Sequence, residues 1–501
     1  MNQRTYPMTL QDAAWGDGKM KCEKQGGLTR RSVVTSGAGM LLAAGTAGGC
    51  VRRDRGAEED RRATSVHDIY DRGLVPIDRS GWTRPEGVTA PYPPLERSLN
   101  ADVVVVGAGL AGSSLALHLA EAGVKVVVLE ARQPGWGASG RNAGHVLPIL
   151  KDLKVLERFP DQGKAFIEIF REHHTIPFDL SQKHGIECDA VRSGYLNAMT
   201  GQADFDDFRE KSAYLEKMGF QKVVPLRGED MKAMTGTGYY PFGVLYENGG
   251  RVNPYLFTNG MIAAAVRLGA VVHGDSEALK LLPAGARWRV ETERGDVTAD
   301  RVVFCTNAYP NGIVPDFERC FYPLTAYALA TQPLPDEALA RIMPGGATLA
   351  QVPVDLNPLV KDRHGRLILS SIPSVSRPED AAWHFQSQLG WIHKVWPETR
   401  EMKIRLGQYW TGRVAMRDKE FPGVFDMGKG VLGLMHFNAW GNVMAPLMGR
   451  LLAEGIAGDR LDALPFPLEK PQPVSSPGKQ EFLIRHLLIP AARFGQRIGL
   501  I

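Results

Sequence analysis

The chain is poor in cysteine. Five of its 501 residues are Cys, and two of them, Cys22 and Cys50, lie near the N-terminus. The other three, Cys188, Cys305 and Cys320, are widely spaced and form no CxxC pair or cysteine and histidine pattern of the kind that binds zinc. The sequence therefore predicts neither a disulfide framework nor a metal site.

A strong charge of one sign is also missing. The formal net charge is +4, from 59 Lys and Arg against 55 Asp and Glu, and the basic residues are dispersed apart from local clusters. Such a balance gives no reason to expect a nucleic-acid partner. With 44% hydrophobic and 23% charged residues, and without internal repeats or low-complexity tracts, the composition is typical of a globular protein large enough for two domains.

Long apolar runs are lacking as well, even near the N-terminus. Residues 28–50 read LTRRSVVTSGAGMLLAAGTAGGC, a stretch too short and too rich in glycine for a membrane span, which needs roughly twenty apolar residues. Arg30 and Arg31 before this stretch predict a twin-arginine export leader, and hence a periplasmic protein. Ala47 to Cys50 resembles a lipoprotein cleavage box, so lipidation of Cys50 at the membrane, simple cleavage nearby and an uncleaved anchor remain alternatives.

Glycine, in contrast, is concentrated at one informative place. Residues 102–130 read DVVVVGAGLAGSSLALHLAEAGVKVVVLE, in which a valine run suited to a buried strand leads into Gly107, Gly109 and Gly112. These glycines allow, in turn, a tight turn, close approach of the backbone to a pyrophosphate, and close packing of the following helix. A second strand then delivers Glu130, whose carboxylate can accept both ribose hydroxyls of an adenosine and would repel a 2'-phosphate. The segment predicts a dinucleotide other than NADP.

A second match to the glycine pattern, formed by Gly428, Gly430 and Gly433, is interpreted as a false one. No strand is expected before it, and an apolar run follows where a helix would have to start. The sequence therefore indicates a single dinucleotide site.

The order of predicted strands and helices indicates that the dinucleotide domain is discontinuous. Residues 1–50 form the leader, 51–100 a solvated linker followed by an extended arm, and 461–501 a basic, apolar C-terminal tail. Between them we expect an α/β fold, in which a Rossmann-type domain is interleaved with an α+β substrate domain built on a mixed or antiparallel sheet. The expected segments are 101–150, 245–320 and 405–460 for the dinucleotide domain, and 151–244 and 321–404 for the substrate domain.

Several further segments follow the fingerprint. They are GWGASGRNAGHV at 135–146, GGRVNP at 249–254, CTNAY at 305–309, YWTGRVAMRDKEFPGVF at 409–425 and NAWGNVMAPLMGRLLAEGIAG at 438–458. With these pieces in this order, the chain resembles the flavin-dependent D-amino acid oxidase superfamily, and within it the branch of glycine, sarcosine and gamma-glutamylputrescine oxidases. The resemblance covers most of residues 80–460 and implies a bound FAD.

The resemblance also implies which residues hold FAD and what it does. The expected contacts are Gly107, Ala108, Gly109, Leu110, Ala111, Gly112, Glu130, Ala131, Arg132, Ser139, Gly140, Arg141, Asn142, Gly144, Gly441 and Asn442. Sarcosine oxidases attach the flavin through a cysteine late in the chain, and this sequence has none beyond Cys320, so FAD is expected to be noncovalent. The implied reaction oxidises an amine or amino acid to an imine by hydride transfer to flavin N5, followed by hydrolysis.

Positions that face the substrate in the relatives differ here. LVK at 359–361 stands where two aromatics and a basic residue are usual, a serine pair follows at 370–371, and WGN at 440–442 replaces a GHG helix start. The identity of the substrate is therefore left open, and no catalytic residue is assigned.

Four side chains are the main candidates for the substrate pocket: Tyr409, Arg413, Lys361 and His145. Trp410, next to Tyr409, is a further candidate for its lining. Arg413 can clamp a carboxylate or form an interdomain ion pair, and His145 can approach the flavin or be structural. His436, in an apolar strand, is expected to be a core histidine with its hydrogen bonds satisfied.

Three kinds of function remain open at this point. The first is oxidation of an amine or amino acid, with oxygen or a membrane quinone as electron acceptor. The second is a flavin dehydrogenase of a hydroxy acid or polyol, and the third a non-catalytic flavoprotein that acts as a binding factor. The tail could also contact a membrane surface, although docking onto the body is the simpler expectation.

Overall fold

The fold is built on two sheets, seen in a computed structural model that describes residues 80–82, 90–151, 153–217, 219, 222–419 and 421–498. The strands are β1 (Ser98–Val106), β2 (Val126–Leu129), β3 (His145–Val146), β4 (Tyr195–Met199), β5 (Val223–Arg227), β6 (Phe242–Tyr246), β7 (Gly250–Arg251), β8 (Val271–His273), β9 (Lys280–Ala284), β10 (Arg287–Glu291), β11 (Asp296–Phe304), β12 (Tyr322–Thr331), β13 (Thr348–Gln351), β14 (Leu359–Lys361), β15 (Leu367–Ser371), β16 (Leu406–Met416), β17 (Gly423–Gly428) and β18 (Val431–Met435). The α-helices are α1 (Leu110–Glu121), α2 (Lys164–His173), α3 (Ile176–His184), α4 (Gln202–Lys217), α5 (Gly228–Thr235), α6 (Pro254–Arg267), α7 (Pro315–Arg319), α8 (Asp336–Arg341), α9 (Ala381–Val395), α10 (Gly441–Ala457), α11 (Pro477–Phe482) and α12 (Ile489–Ile498).

The first sheet is centred on the valine strand that precedes the glycines. Its order is β17, β18, β11, β1, β2 and β8, with β17 antiparallel to β18 and the other neighbours parallel. The hairpin of β9 and β10 pairs with the first half of β11. Residues 103–106 are at most 6% exposed, which is what a strand covered on both faces requires. α1 begins directly after the turn, so the predicted strand, turn and helix are confirmed.

The last long helix, α10, packs closely on α1. A Cβ atom at Gly449 would lie 3.0 Å from the carbonyl oxygen of Ala111, so a larger residue would push the helices apart. Ser114 donates a hydrogen bond from Oγ to the carbonyl oxygen of Pro446 at 2.7 Å. These contacts hold α10 against α1.

The second sheet has the order β16, β12, β15, β14, β13, β4, β6 and β5, and its pairs are antiparallel except β13 with β4. Alternate residues of its strands point to opposite faces. One face packs with α9 and includes Tyr327, Leu329, Leu359, Leu367, Leu369 and Tyr409. The other face packs with Trp82 and Tyr255 and includes Ala328, Ala330, Val360, Ile368 and Trp410. The predicted α/β class with a mixed second sheet is confirmed.

One strand lies on the other side of an expected domain boundary. β16 was expected at the start of the third dinucleotide segment, 405–460, but it pairs along its length with β12 in the second sheet. The chain returns to the first sheet only with β17. The apolar pattern of β16 is compatible with either sheet, because strands of both sheets have buried residues on both faces.

The second glycine match is a hairpin between two strands, so the expectation that no strand precedes it is wrong. β17 ends at Gly428, and β18 follows as an antiparallel partner rather than as a helix. Gly430 has a φ of +81°, and a Cβ atom there would lie 2.7 Å from the carbonyl oxygen of Asp300. This glycine therefore serves a tight turn and not a dinucleotide.

The C-terminal tail docks onto the body. Lys394 donates a hydrogen bond from Nζ to the carbonyl oxygen of Gln496 at 2.7 Å, and Arg493 donates to the carbonyl oxygen of Ile372. Phe494 and Ile498, on the same helix, are 57% and 51% exposed. Among the described residues, no helix is both long and apolar enough to cross a membrane.

Candidate active site

The glycine turn between β1 and α1 leaves no room for side chains. Gly107 has a φ of +102°, which favours glycine, and a Cβ atom at Gly112 would collide with the carbonyl oxygen of Gly107. A Cβ atom at Gly109 would lie 2.7 Å from Oγ of Ser139, which in turn accepts a hydrogen bond from the Leu110 N–H at 2.9 Å. No side chain therefore separates the first turn of α1 from the Ser139 hydroxyl. An anion that binds to the helix N-terminus needs such close access to the backbone.

Glu130 folds back over this turn. Its Oε2 accepts a hydrogen bond from the Ala108 N–H at 2.7 Å, and its Oε1 accepts one from the Arg132 N–H at 3.0 Å. Burial raises the pKa of Glu130, while these two N–H groups act in the opposite direction. Each carboxylate oxygen can accept a further hydrogen bond, so two ribose hydroxyls can still bind.

Some of the predicted contacts can be made only by backbone atoms. The side chains of Ala108, Leu110 and Ala111 are at most 5% exposed and belong to the core around α1. Ala131 and Arg132, by contrast, are exposed at the rim beside Glu130.

Two asparagines 300 residues apart join the loop after β2 to the start of α10. Asn142 donates from Nδ2 to Oδ1 of Asn442 at 3.2 Å, and Asn442 donates from Nδ2 to Oδ1 of Asn142 at 3.0 Å. Asn442 also donates to the carbonyl oxygen of His145 at 2.7 Å, and Oδ1 of Asn142 accepts the Gly144 N–H at 2.9 Å. α10 begins at Gly441 without a side-chain cap, so its first N–H groups remain available to a ligand beside this loop.

The same loop contains Gly140 and Arg141. Arg141 donates from Nε to the carbonyl oxygen of Trp136 at 2.6 Å, and its guanidinium lies 5.0 Å from the centre of the Trp136 ring. Only 4% of Arg141 is exposed, so it is not a surface ion-pair residue. A Cβ atom at Gly140 would collide with the carbonyl oxygen of Gly135, and the loop can be this compact only with glycine there.

His145 lies at the end of this loop, where β3 pairs with β7. Both of its ring nitrogens are buried and have no hydrogen-bond partner among the described residues. Its ring meets the edge of the Tyr195 ring, with centres 5.6 Å apart. Burial lowers the pKa of His145 to about 4, so the imidazole is neutral at physiological pH. The unpaired nitrogens favour a ligand contact over a purely structural role.

Lys361 and Tyr409 lie away from the loop. Lys361 donates from Nζ to the carbonyl oxygens of Leu339, Ile342 and Met343, and so caps the end of α8. Tyr409 is fully buried on the α9 face of the second sheet, stacked 5.7 Å from the ring of His384. Both side chains point to the α9 side of their strands. That they line the substrate pocket stays a prediction.

Arg413 is exposed, and its backbone N–H donates to the hydroxyl of Tyr309 at 3.0 Å. Ser371, at one of the departures from the relatives, faces Arg493 of the tail at 3.3 Å.

His436 is in the core, as expected, but its ring is not hydrogen-bonded to any of the described residues. The ring packs 4.8 Å from that of Phe321, and burial lowers the pKa of His436 well below its ordinary value. It therefore acts as a neutral aromatic ring.

Comparison with known proteins decides the family. The family model described as FAD dependent oxidoreductase matches residues 102–455. The chain belongs to this family. It is 27% identical to the gamma-glutamylputrescine oxidoreductase of Escherichia coli K12 over 392 residues, which are 75% of this chain and 90% of that protein. It is also 27% identical to a probable oxidoreductase, OrdL, of Haemophilus influenzae, over 74% of this chain and 85% of that one.

Solved structures share the fold. The glycine oxidase of Bacillus cereus superposes with a TM-score of 0.59 at 19% identity, covering 73% of this chain and 99% of that one. The resemblance inferred from the fingerprint and the later segments is thus confirmed, and the cofactor of this oxidoreductase is FAD.

The observed site fits FAD. At Gly107, Gly109 and Gly112 the turn leaves open the space that a Cβ atom would fill, so that a pyrophosphate can approach the backbone. Glu130, which bonds to the Ala108 N–H of this turn, is placed to bind an adenosine ribose. The loop at 139–144, the unpaired nitrogens of His145 and the uncapped start of α10 lie together at the other end. These groups would hold the pyrophosphate and the flavin ring.

Two aromatic residues lie at the loop, of which Trp410 was a predicted pocket residue and Tyr309 was overlooked. Trp410, next to Tyr409, faces the loop and donates from Nε1 to the carbonyl oxygen of Arg141 at 2.9 Å. Tyr309, half-buried beside Arg141, meets the edge of the Trp136 ring at 5.7 Å. Its position in the CTNAY segment gave no indication of this contact.

Proposed function

We propose that this oxidoreductase oxidises an amine or an amino acid to an imine, which water then hydrolyses. The observation that carries the proposal is the Asn142 and Asn442 bridge, which keeps the uncapped start of α10 beside the loop at 139–144. A helix N-terminus at that place stabilises negative charge, which a reduced flavin carries. FAD supplies the acceptor of a hydride from the carbon next to the amine nitrogen. The names of the two relatives above, one acting on gamma-glutamylputrescine and one on glycine, support this class of substrate.

The histidine at the end of the loop is uncharged. Burial lowers the pKa of His145 to about 4, so its ring adds no positive charge to the site. Its neutral ring can donate one hydrogen bond and accept another. Positioning and exclusion of water are therefore the main tasks of the protein, and no side-chain base is required.

A substrate panel under anaerobic conditions tests the reaction. Amines and amino acids should bleach the flavin absorbance at about 450 nm, and release of ammonia or an alkylamine should follow. Bleaching by hydroxy acids or polyols alone would favour a hydroxy-substrate dehydrogenase. Absence of bleaching by every substrate, in a protein that photoreduces normally, would favour a binding factor.

We propose export to the periplasm by the twin-arginine route. The support is Arg30 and Arg31 before a weakly apolar stretch, which lies outside the described residues, together with a cofactor site made from distant segments that must fold first. Replacing both arginines by lysine should leave FAD-loaded protein in the cytoplasm. Unchanged export of this variant in a fractionation experiment would contradict the proposal.

We further propose that electrons pass to oxygen or to a membrane quinone, with lipidated Cys50 holding the protein at the membrane surface. Cys50→Ala should then release it into the soluble periplasm. Retention on the membrane would instead implicate the tail, where Phe494 and Ile498 are exposed beside Arg497. Oxygen consumption compared with reduction of a soluble quinone distinguishes the two acceptors.

A further inference from the structure

A short piece of the N-terminal arm is part of the core. Ser80 is fully buried and Trp82 is 1% exposed, although sequence reasoning assigned residues 51–100 to a linker and an arm. Trp82 packs in one cluster with Tyr255 and Trp410, on the face of the second sheet that is turned away from α9. A Cβ atom at Gly81 would collide with the Trp410 ring, so the arm lies against this ring with its bare backbone.

Ser80 and Trp82 form hydrogen bonds with the loop at 139–144. Three successive carbonyl oxygens of residues 140–142 each accept one side-chain hydrogen bond. The donors are Oγ of Ser80 at 3.1 Å, Nε1 of Trp410 at 2.9 Å and Nε1 of Trp82 at 2.7 Å, in that order along the loop. Two of the three donors therefore come from the arm.

These bonds set the orientation of the loop peptides. In a trans peptide the N–H points away from the preceding carbonyl oxygen. With the carbonyls of Arg141 and Asn142 held by the two indoles, the N–H groups of Asn142 and Ala143 are turned to the opposite side. Backbone N–H groups presented in this way are what a flavin ring or a phosphate binds.

The arm is itself anchored on its far side. Asn253, which caps the start of α6, donates from Nδ2 to the carbonyl oxygen of Trp82 at 3.0 Å. A Cβ atom at Gly144 would lie 3.0 Å from the Trp82 ring, so the ring also limits how far the end of the loop can move. Trp82 is thus clamped between α6, the loop and the second sheet.

We propose that Ser80 to Trp82 is a positioning element of the FAD site, which holds the loop at 139–144 in the shape that binds the flavin. It acts through the loop carbonyls and not on the substrate. The affinity of the folded protein for FAD should therefore depend on a segment that precedes the dinucleotide fingerprint. The inference rests on the family cofactor and does not depend on which substrate is oxidised.

Trp82→Phe in the full chain tests the proposal, because it keeps a large ring and removes the donor to Asn142. Loss of one such buried hydrogen bond should raise the FAD dissociation constant of the apoprotein by about five- to thirty-fold. Trp396→Phe is the matched control. Trp396 is also fully buried and donates from Nε1 to the carbonyl oxygen of Thr235 at 2.8 Å, but it packs on the α9 face of the second sheet. It should lower the melting temperature and leave the FAD dissociation constant within about two-fold.

Two outcomes would overturn the proposal. One is a folded Trp82→Phe protein with the FAD affinity of the wild type, and the other is an equal loss of affinity in Trp396→Phe. If Trp82→Phe does not fold, Ser80→Ala decides. It removes the bond to Gly140 and the weaker one that Ser80 Oγ accepts from the Trp82 N–H at 3.3 Å, and it should weaken FAD binding by about two- to five-fold. Hydrogen exchange gives a readout without FAD: amides of residues 139–144 should exchange faster in the arm variants and not in the control.

Discussion

The bridge between Asn142 and Asn442 gives the sharpest test of how the site is assembled. Each amide donates to the other, at 3.2 and 3.0 Å, and these two bonds join the loop at 139–144 to the start of α10. Replacing either asparagine by alanine should free the loop from the helix. FAD binding must then restore their relative position, at a cost in affinity.

The size of the effect follows from the number of bonds. A neutral buried hydrogen bond contributes about 1 kcal/mol net, so the two bonds of the bridge are worth about 2 kcal/mol. Each single variant should therefore raise the FAD dissociation constant about thirty-fold. The double variant should raise it by much less than the product of the two single effects, because both single changes break the two bonds of the bridge. Any further increase reflects the bonds that each asparagine makes separately, Asn142 to Ser139 and Gly144 and Asn442 to His145. The coupling free energy of the cycle is expected to be about 2 kcal/mol.

Titration of apoprotein with FAD, followed by flavin fluorescence, measures all four proteins of the cycle. Asn357→Ala is the control, since Asn357 is equally buried and donates to Oε1 of Gln351 at 2.8 Å, beside the tail rather than the loop. It should not change FAD affinity. If the two single effects simply multiply in the double variant, to several hundred-fold, the asparagines act independently and the bridge does not hold the site together.

Three further predictions concern the cofactor and the stability of the fold. Acid precipitation should release yellow FAD into the supernatant, and colour in the pellet would show covalent attachment, with His145 the first residue to examine. Gly109→Val should abolish FAD binding because its side chain would meet Ser139, whereas Gly390→Ala, with open space around it in α9, should leave FAD content unchanged; equal losses in two folded variants would refute the assignment. Burial raises the pKa of Asp355 from 3.8 to about 7, so its charge destabilises the folded state increasingly as the pH rises from 4 to 7. Asp355→Asn should therefore raise the melting temperature at pH 8 by an amount reflecting on the order of 4 kcal/mol and change it little at pH 4; an equal rise at both pH values would contradict this.

The dinucleotide half of the site could be read from the sequence because its determinants are local. The turn from Gly107 to Gly112, the buried strand before it and Glu130 lie within one short segment. Gly107 is favoured by its φ of +102°, and Gly112 by the collision of a Cβ atom with the Gly107 carbonyl, so both are explained inside that segment, whereas Gly109 faces Ser139 outside it. The spacing of these residues therefore predicts the geometry of the turn.

The substrate half could not be read in the same way, because a strand reverses its face at every residue. Tyr409 and Trp410 are adjacent and both fully buried, yet Tyr409 stacks on His384 under α9 while Trp410 reaches the loop. The apolar pattern of β16 therefore does not indicate which of its two faces packs under α9. The contacts of Lys361 could not be predicted for a related reason, since the carbonyls that it binds lie at the end of a helix about twenty residues earlier in the chain.

The loop contacts that were missed share a chemical property. Ser80, Trp82 and Trp410 bind the loop through its carbonyl oxygens, and a carbonyl oxygen is the same in every residue. Such a contact leaves no complementary side chain elsewhere in the sequence, unlike an ion pair or a metal site. Asn142 and Asn442 are complementary side chains, but they are 300 residues apart in the sequence, so their pairing is visible only in the structure. We therefore expect the affinity for FAD to depend on contacts made by the arm, the loop, β16 and α10 together.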